Sequence, residues 1–431
     1  METVLYALVA APIVANVFYR FRVEYATLAA SVTTIVLLGL LYTRLPITGA
    51  LYFDRMSWVF AISVCAVYLA SAIYSTRYFT DIHTKFGLPV YYVLLNFFVA
   101  SMLFTLVVNN LGFMWVGLEA TTVSTVLLVL VEGGEAAIEA AWRYVVIVST
   151  GVAFAFISVI LVYYSLHTLE LSVVPTESRV LALAVSIALV GFGTKVGVFP
   201  VNTWLPDAHS EAPAPISAMF SGVLLPVALY VLYRVYELNP IPQVFTWAAT
   251  ISIVVASIML ASQRNVKRLL AYSTIENMNL ALLGFAVNQP LGALILIVAH
   301  AFGKSAAFYS SGLMYRLTGS KQIGAYGLWK QRYLPYSLIL SSLTVTGAPP
   351  FATFVGEFLI LSSLLRYSLV EFFIVLLSLG LSFVSVNFHV SRMVFQGEGE
   401  RRVEDSVMGG VSVAASLIPL VLGVLLVWWL L

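Results

Sequence analysis

The chain has 431 residues, 61% of them hydrophobic and 10% charged, and a net charge of +2. A soluble domain carries about 25% charged residues, so a water-soluble globule is excluded, and so near-neutral a balance offers no basic surface for nucleic acid or another polyanion. The single cysteine, Cys65, cannot form an internal disulfide, build a four-cysteine iron-sulfur site or supply the thiolates of a nickel-iron centre, so redox chemistry and its cofactors are expected in another chain.

The opening segment, METVLYALVAAPIVANVFYR, has no basic region ahead of its apolar stretch and reads as a retained helix, not a cleaved signal peptide. A bilayer core of about 30 Å takes roughly 20 apolar residues per helical crossing. In chain order such stretches fall at 3–19, 25–42, 56–76, 89–108, 111–131, 143–165, 180–199, 214–235, 244–262, 270–288, 290–313, 335–369, 371–391 and 407–431. The expected fold is therefore an all-α polytopic membrane protein of about 14 transmembrane helices. The twelfth stretch is longer than one crossing and is interrupted by Gly347, Pro349 and Pro350, so it reads as one broken helix. The seventh is broken after Lys195 by Pro200. Loops after odd-numbered spans hold fifteen of the 22 Lys and Arg, the other side holds five, and Lys195 and Lys304 fall inside spans. This bias predicts a multi-pass plasma-membrane protein with both termini outside.

An ionised group at the bilayer centre costs about 2.5 to 3.5 kcal/mol, so each one inside a span asks for a reason. Glu119, Lys195, Glu276, His300, Lys304 and Glu357 are such groups. His300 and Lys304, four apart, share a helix face. Pro200 frees the carbonyl of Val196 beside Lys195, and Pro349 and Pro350 free those of Val345 and Thr346 upstream of Glu357. Freed carbonyls at membrane depth require donors or water, which makes these breaks candidate proton-exchange sites. Any one buried charge alone equally fits a residue that only joins helices, a reading strongest for Glu276 near Lys267 and Arg268. With spans four to eight and nine to thirteen as units, the broken span is the fourth member of each, and five being odd, the second unit is inverted. The resulting layout is an N-terminal three-helix segment (1–88), a first repeat (89–235), a second repeat (244–395) and a C-terminal loop and last helix (396–431).

Five segments carry a family resemblance: VNNLGFMWVGLEATT, GFGTKVGVFPVNTWLPDAHSEAPAPISAMFSGVLLP, VKRLLAYSTIENMNLALLGF, HAFGKSAAFYSSG and GAPPFATFVGEFLIL. Over residues 90 to 395 the chain resembles the antiporter-like, proton-conducting membrane subunits shared by respiratory complex I, Mrp antiporters and group 4 membrane-bound hydrogenases. NNLGFMWVGLEATT with EAAWRY, and WLPDAHSEAPAP with SGVLL, look closest to the hydrogenase-4 component F type. The resemblance implies that Glu119 matches the glutamate of the fifth helix and Lys195 the lysine at the break of the seventh. It implies likewise that His300 and Lys304 match the histidine and lysine of the eleventh, and Glu357 the acidic residue of the twelfth. Together they form a hydrated polar axis for protons. Where relatives read LLK in the eighth helix this chain reads SGVLLPVALY, with Pro226, a further expected helix break, in place of the lysine; Pro226 frees the carbonyl of Gly222 but holds no proton.

Asp207, His209 and Glu211 in WLPDAHSEAP form only a marginal ligand set, and nearby prolines suggest a tight loop; a structural turn or a proton-uptake surface is expected there, not a metal. His300 and His389 lack the spacing of a haem pair. VEGGEAAIEAAWRY reads as a solvated loop. The expected function is ion translocation in an energy-converting hydrogenase or formate hydrogenlyase-like complex. Its partners would be other membrane subunits and, through them, nickel-iron and iron-sulfur subunits. The alternatives are an Mrp-type sodium/proton exchanger or complex I subunit, and a membrane scaffold without ion flux.

Overall fold

A computed structural model describes residues 2–80, 82, 84–171 and 178–430, the side chains of 429 and 430 excepted. Leu431, where the last expected span ends, lies outside the described residues. The helices, in chain order, begin with α1 (Glu2–Ala15), α2 (Val23–Tyr42), α3 (Arg55–Tyr78), α4 (Leu88–Val107), α5 (Leu111–Val129) and α6 (Glu135–Leu166). Next come α7 (Arg179–Val196), α8 (Trp204–Glu211), α9 (Ala214–Met219), a π turn at Phe220–Leu224, α10 (Leu225–Tyr236), α11 (Pro242–Ala261) and α12 (Val266–Ala286). The last are α13 (Pro290–Thr318), α14 (Leu334–Val345), α15 (Ala352–Tyr367), α16 (Leu369–Phe395) and α17 (Ser406–Leu430). No strand forms among the described residues, only isolated bridges. Helix is the outcome that satisfies every backbone N–H and C=O within its own segment, which lipid demands. Starts are marked by side-chain caps from Asp54, Asn110, Asn265 and Ser368 to the following N–H groups.

Among the described residues eleven helices, counting Ala214–Tyr236 as one, are long and apolar enough to cross a membrane. Three expected spans fall short, for different reasons. The first is a 14-residue helix. The tenth, α12, spends its length on Lys267, Arg268, Glu276, Asn277 and Asn279. The twelfth is two pieces of 12 and 16 residues, α14 and α15. Two loop expectations are corrected. VEGGEAAIEAAWRY is helical from Glu135 onward, because Gly134 takes the turn at φ +98 and the Glu/Ala run that follows favours helix. WLPDAHSE is the helix α8, since Pro206 lies in its first turn, where no intrahelical N–H is needed.

The chain forms two compact units. The first comprises Met1–Val196, Glu211–Pro213 and Val223–Ile241. In it α6 and α7 lie unusually close: a Cβ on Gly151 would strike the Thr194 side chain, and one on Gly191 the backbone of Ala155. That approach fixes the end of α7, where Lys195 sits. The second comprises Gly197–Ser210, Ala214–Gly222 and Pro242–Leu431, with α13 packed among α9, α12, α14, α15 and α17. Leu, Val and Phe side chains such as Val116, Phe156, Leu377 and Val424 are exposed, as lipid-facing surfaces require.

Candidate functional site

In the first unit α7 ends at Val196 because Gly197 turns at φ +95 and Pro200 brings no N–H. Lys195, in that last turn, is 2% exposed. Its Nζ donates to the Leu118 carbonyl and, at 3.0 Å, to Thr121 Oγ1, both on α5. The Thr121 hydroxyl also donates to Leu118, at 2.6 Å. Glu119, half-buried on the same helix, accepts from Thr122 Oγ1 at 3.3 Å and lies within electrostatic reach of Lys195. Thr125 and Tyr144 join hydroxyls at 2.7 Å and extend the polar patch. The ammonium is thus held by neutral oxygens with a carboxylate nearby, an arrangement in which a lysine can gain and lose its proton without breaking the fold.

In the second unit His300 and Lys304 are fully buried on α13. Lys304 Nζ donates to the Leu270 carbonyl at 3.1 Å, and Thr274 Oγ1 donates to the same oxygen at 2.9 Å. Thr274 meets the Ser221 hydroxyl at 2.7 Å, and His300 Nε2 lies 3.2 Å from the Ser221 carbonyl. Lys304 and His300 thus bond to neighbouring groups of α12 and the π turn: Lys304 shares the Leu270 carbonyl with Thr274, and Thr274 meets the hydroxyl of the residue whose carbonyl faces His300. The turn explains the carbonyl. Sequence placed a helix break at Pro226 and a freed carbonyl at Gly222, but the helix continues through Pro226 in the wider i→i−5 register, where the unserved carbonyl is that of Ser221. Glu276 is 2% exposed, accepts from Ser257 Oγ at 3.0 Å and lies within electrostatic reach of Lys304.

Both genuine breaks find donors on α12. Asn279 Nδ2 donates to the Gly197 carbonyl at 3.2 Å, and Asn277 Nδ2 to the Val345 carbonyl at 3.1 Å. At the second break Gly347 has φ +65, and a Cβ there would overlap the Glu357 carboxylate. Glu357, 8% exposed, lines a cleft of about 470 Å³ with Thr346, Phe354, Phe358, Leu361 and Phe383.

Asp207, His209 and Glu211 do not converge. Asp207 pairs with Arg268. His209 is fully buried and stacks on Phe308 at 4.8 Å, and neither ring nitrogen has a hydrogen-bond partner among the described residues. Glu211 belongs to the first unit. Among the described residues no three His, Cys, Asp or Glu side chains gather to hold a metal. Sequence reasoning missed Thr121, Ser221, Ser257, Thr274, Asn277, Asn279 and Glu371. Hydroxyl and amide residues inside apolar helices were the available signal, with Asn277 and Asn279 together in the quoted ENMN.

Residues 108–385 match the family model described as NADH:quinone oxidoreductase/Mrp antiporter, transmembrane. The chain is 31% identical over 376 residues to a hydrogenase-4 component F homolog of Methylacidiphilum infernorum, covering 80% of this chain and 79% of that protein. It is 30% identical over 308 residues to NADH-quinone oxidoreductase subunit N of Desulforudis audaxviator, covering 67% of this chain and 61% of the relative, so it spans less than two thirds of that subunit's length. Its fold is similar to a chain of an archaeal membrane-bound sulfane sulfur reductase complex, with a TM-score of 0.89, 20% identity and coverage of 99% and 95% of the two chains.

Proposed function

Because this chain belongs to the NADH:quinone oxidoreductase/Mrp antiporter transmembrane family, we propose that it is the proton-translocating subunit of an energy-converting membrane-bound hydrogenase or formate hydrogenlyase-like complex. In this reading fourteen crossings carry two inverted five-helix repeats, with both termini outside. Glu119, Lys195, His300, Lys304 and Glu357 pass protons. Asp207, His209, Glu211 and Glu276 serve uptake or support, and the breaks at Pro200, Pro349 and Pro350, with the π turn just before Pro226, let water reach them. Partner subunits carry the nickel-iron and iron-sulfur centres, and their redox cycle shifts the proton balance between Glu119 and Lys195. Each charge moved against 100 mV costs about 2.3 kcal/mol. The hydrogenase branch is supported by the identity to the component F homolog.

One observation carries the proposal: a lysine 2% exposed at a broken helix end, held by a carbonyl and a hydroxyl with Glu119 in reach. Lys195→Ala or Glu119→Ala is expected to abolish reaction-coupled acidification of vesicles while dye-measured hydrogenase activity persists; undiminished pumping rejects the assignment. Neighbouring reading frames encoding a nickel-iron large subunit support the branch, and a run of Mrp-type genes overturns it. A sodium/proton exchanger is favoured by one feature, the Glu357 carboxylate in its cleft, since carboxylates suit a hard cation. Sodium flux lost in Glu357→Gln marks that reading. Site substitutions that alter assembly and never ion flux mark a scaffold.

A further inference from the structure

Glu371, in the first turn of α16, is 2% exposed, and no ion pair to it forms among the described residues. Its two oxygens face hydroxyls of the neighbouring helix α11: Thr250 Oγ1 at 3.1 Å and Thr246 Oγ1 at 3.4 Å, the latter shared with the Gln243 carbonyl at 3.2 Å. α11 has no ionisable side chain. The other helices packed on α16 bring Tyr336 of α14, Arg366 and Tyr367 of α15 and Lys330 of the short helical turn Leu328–Lys330, all exposed, and Glu357 farther along. A buried carboxylate served only by neutral hydroxyls exchanges a cation more readily than one locked to an arginine, because no fixed charge compensates it.

The two helices that hold Glu371 continue the pattern inward. On α11, Thr246, Thr250, Ile253 and Ser257 follow spacings of four, three and four residues, and all are buried. On α16, Glu371, Val375, Ser378 and Ser382 repeat those spacings and are also buried. Such spacing makes one stripe on each helix, and α11 and α16 pack against each other. The inner end meets Glu276, which accepts from Ser257, and on α16 the buried Ser382 hydroxyl has no hydrogen-bond partner among the described residues. Thr246 to Ser257 is eleven residues, about 16 Å of rise, roughly half of a bilayer core of about 30 Å. The Ser257 hydroxyl has one proton and two acceptors, Glu276 Oε1 at 3.0 Å and the Ile253 carbonyl at 2.8 Å, so it can turn between them.

We propose that the α11/α16 seam is the second unit's proton exit route, running from Glu276 through Ser257, Ser382 and Ser378 to Glu371, the terminal acceptor that releases the proton to solution. The inference rests on the proton-translocating reading above and gives Glu276 a relay role at the exit in place of uptake or support. A proton leaves the Glu276 carboxyl, each hydroxyl or intervening water takes one proton and gives up its own, and the Glu371 carboxylate receives one; no group is consumed. The route ends at the α16 terminus near Glu371, away from Arg264, Lys267 and Arg268, which lie at the other end of α11.

The experiment uses vesicles containing the whole complex, with proton transfer and partner redox activity measured together. Glu371→Gln preserves an oxygen and a similar shape for the threonines, and is expected to lower coupled proton transfer at least tenfold with redox activity retained. Glu371→Asp restores part of it. Should Glu371→Gln fail to assemble, Ser378→Val, which fills the seam midway and touches neither carboxylate, is expected to give the same loss. Normal pumping by an assembled Glu371→Gln or Ser378→Val overturns the route. Lys195→Ala serves as the internal reference: if it pumps normally the translocation reading itself falls, whereas if it is silent while the seam variants pump, only this route falls.

Discussion

Replacing Lys195 by arginine keeps a cation at the end of α7 and removes its ability to let go of a proton. At pH 7 deprotonating a guanidinium costs about 1.4 kcal/mol for each of at least five pH units, about 7 kcal/mol, so the neutral form becomes about 10⁵-fold too rare to serve a cycle. The guanidinium also has little room, since Lys195 is 2% exposed and α6 crowds the preceding turn through Gly151 and Gly191. Lys195→Met is the companion variant. It strips the ammonium but leaves the Leu118 carbonyl still accepting from Thr121 at 2.6 Å, so the loss is limited to about 1 to 2 kcal/mol of charged hydrogen bonding, partly offset by no longer burying a charge. Thermal midpoints of the detergent-solubilised complex should therefore move little for Met. Proton transfer in everted vesicles, followed with a pH-sensitive dye beside the redox rate, should fall to background for both. Pumping within twofold of wild type by an assembled Lys195→Arg would refute proton exchange at this position.

Gly347→Ala forces a Cβ into a φ of +65 and onto the Glu357 carboxylate, so it should lower the thermal midpoint and reproduce the transport defect of Glu357→Gln. Transport equal to wild type would show that the carboxylate need not sit against the break. Asn277→Leu and Asn279→Leu each remove the donor to a carbonyl at a broken helix, and each should cost about 0.6 to 2 kcal/mol in unfolding assays. Asp54 offers a pH test outside the spans. Burial works to raise its pKa, but the ion pair with Arg234 and the bonds from Ser57 outweigh it, and the folded value lies below the ordinary 3.8. Its stabilisation is therefore present above that value and is lost as pH falls through the folded value. Asp54→Asn should lose about 1 to 3 kcal/mol near neutral pH and show a flatter acid limb of thermal midpoint against pH. An unchanged limb would count against the pair.

The amino-acid sequence by itself determined the class of protein and the points where its helices fail. Hydropathy acts residue by residue, so a chain 61% hydrophobic in stretches of about twenty residues has little choice but membrane helices. Proline removes an N–H wherever it stands, so the breaks beside Lys195 and before Glu357 were legible, and so was the burial of His300 and Lys304 on one face of α13. What each freed or charged group meets was not legible, because that depends on how each helix is rotated and how far it is shifted against its neighbours. Only the tertiary structure set Asn277 and Asn279 against two separate breaks, and gave Asp207 to Arg268 while His209 went to Phe308. It also decided Pro226: close packing at Gly222, where a Cβ would strike Ser305 and Ala301, favours absorbing the lost hydrogen bond in a wider turn over opening a kink. Glu371 escaped notice because, read along the chain, it is an acidic residue in the first turn of a helix; its burial against Thr246 and Thr250 exists only once α11 and α16 are side by side.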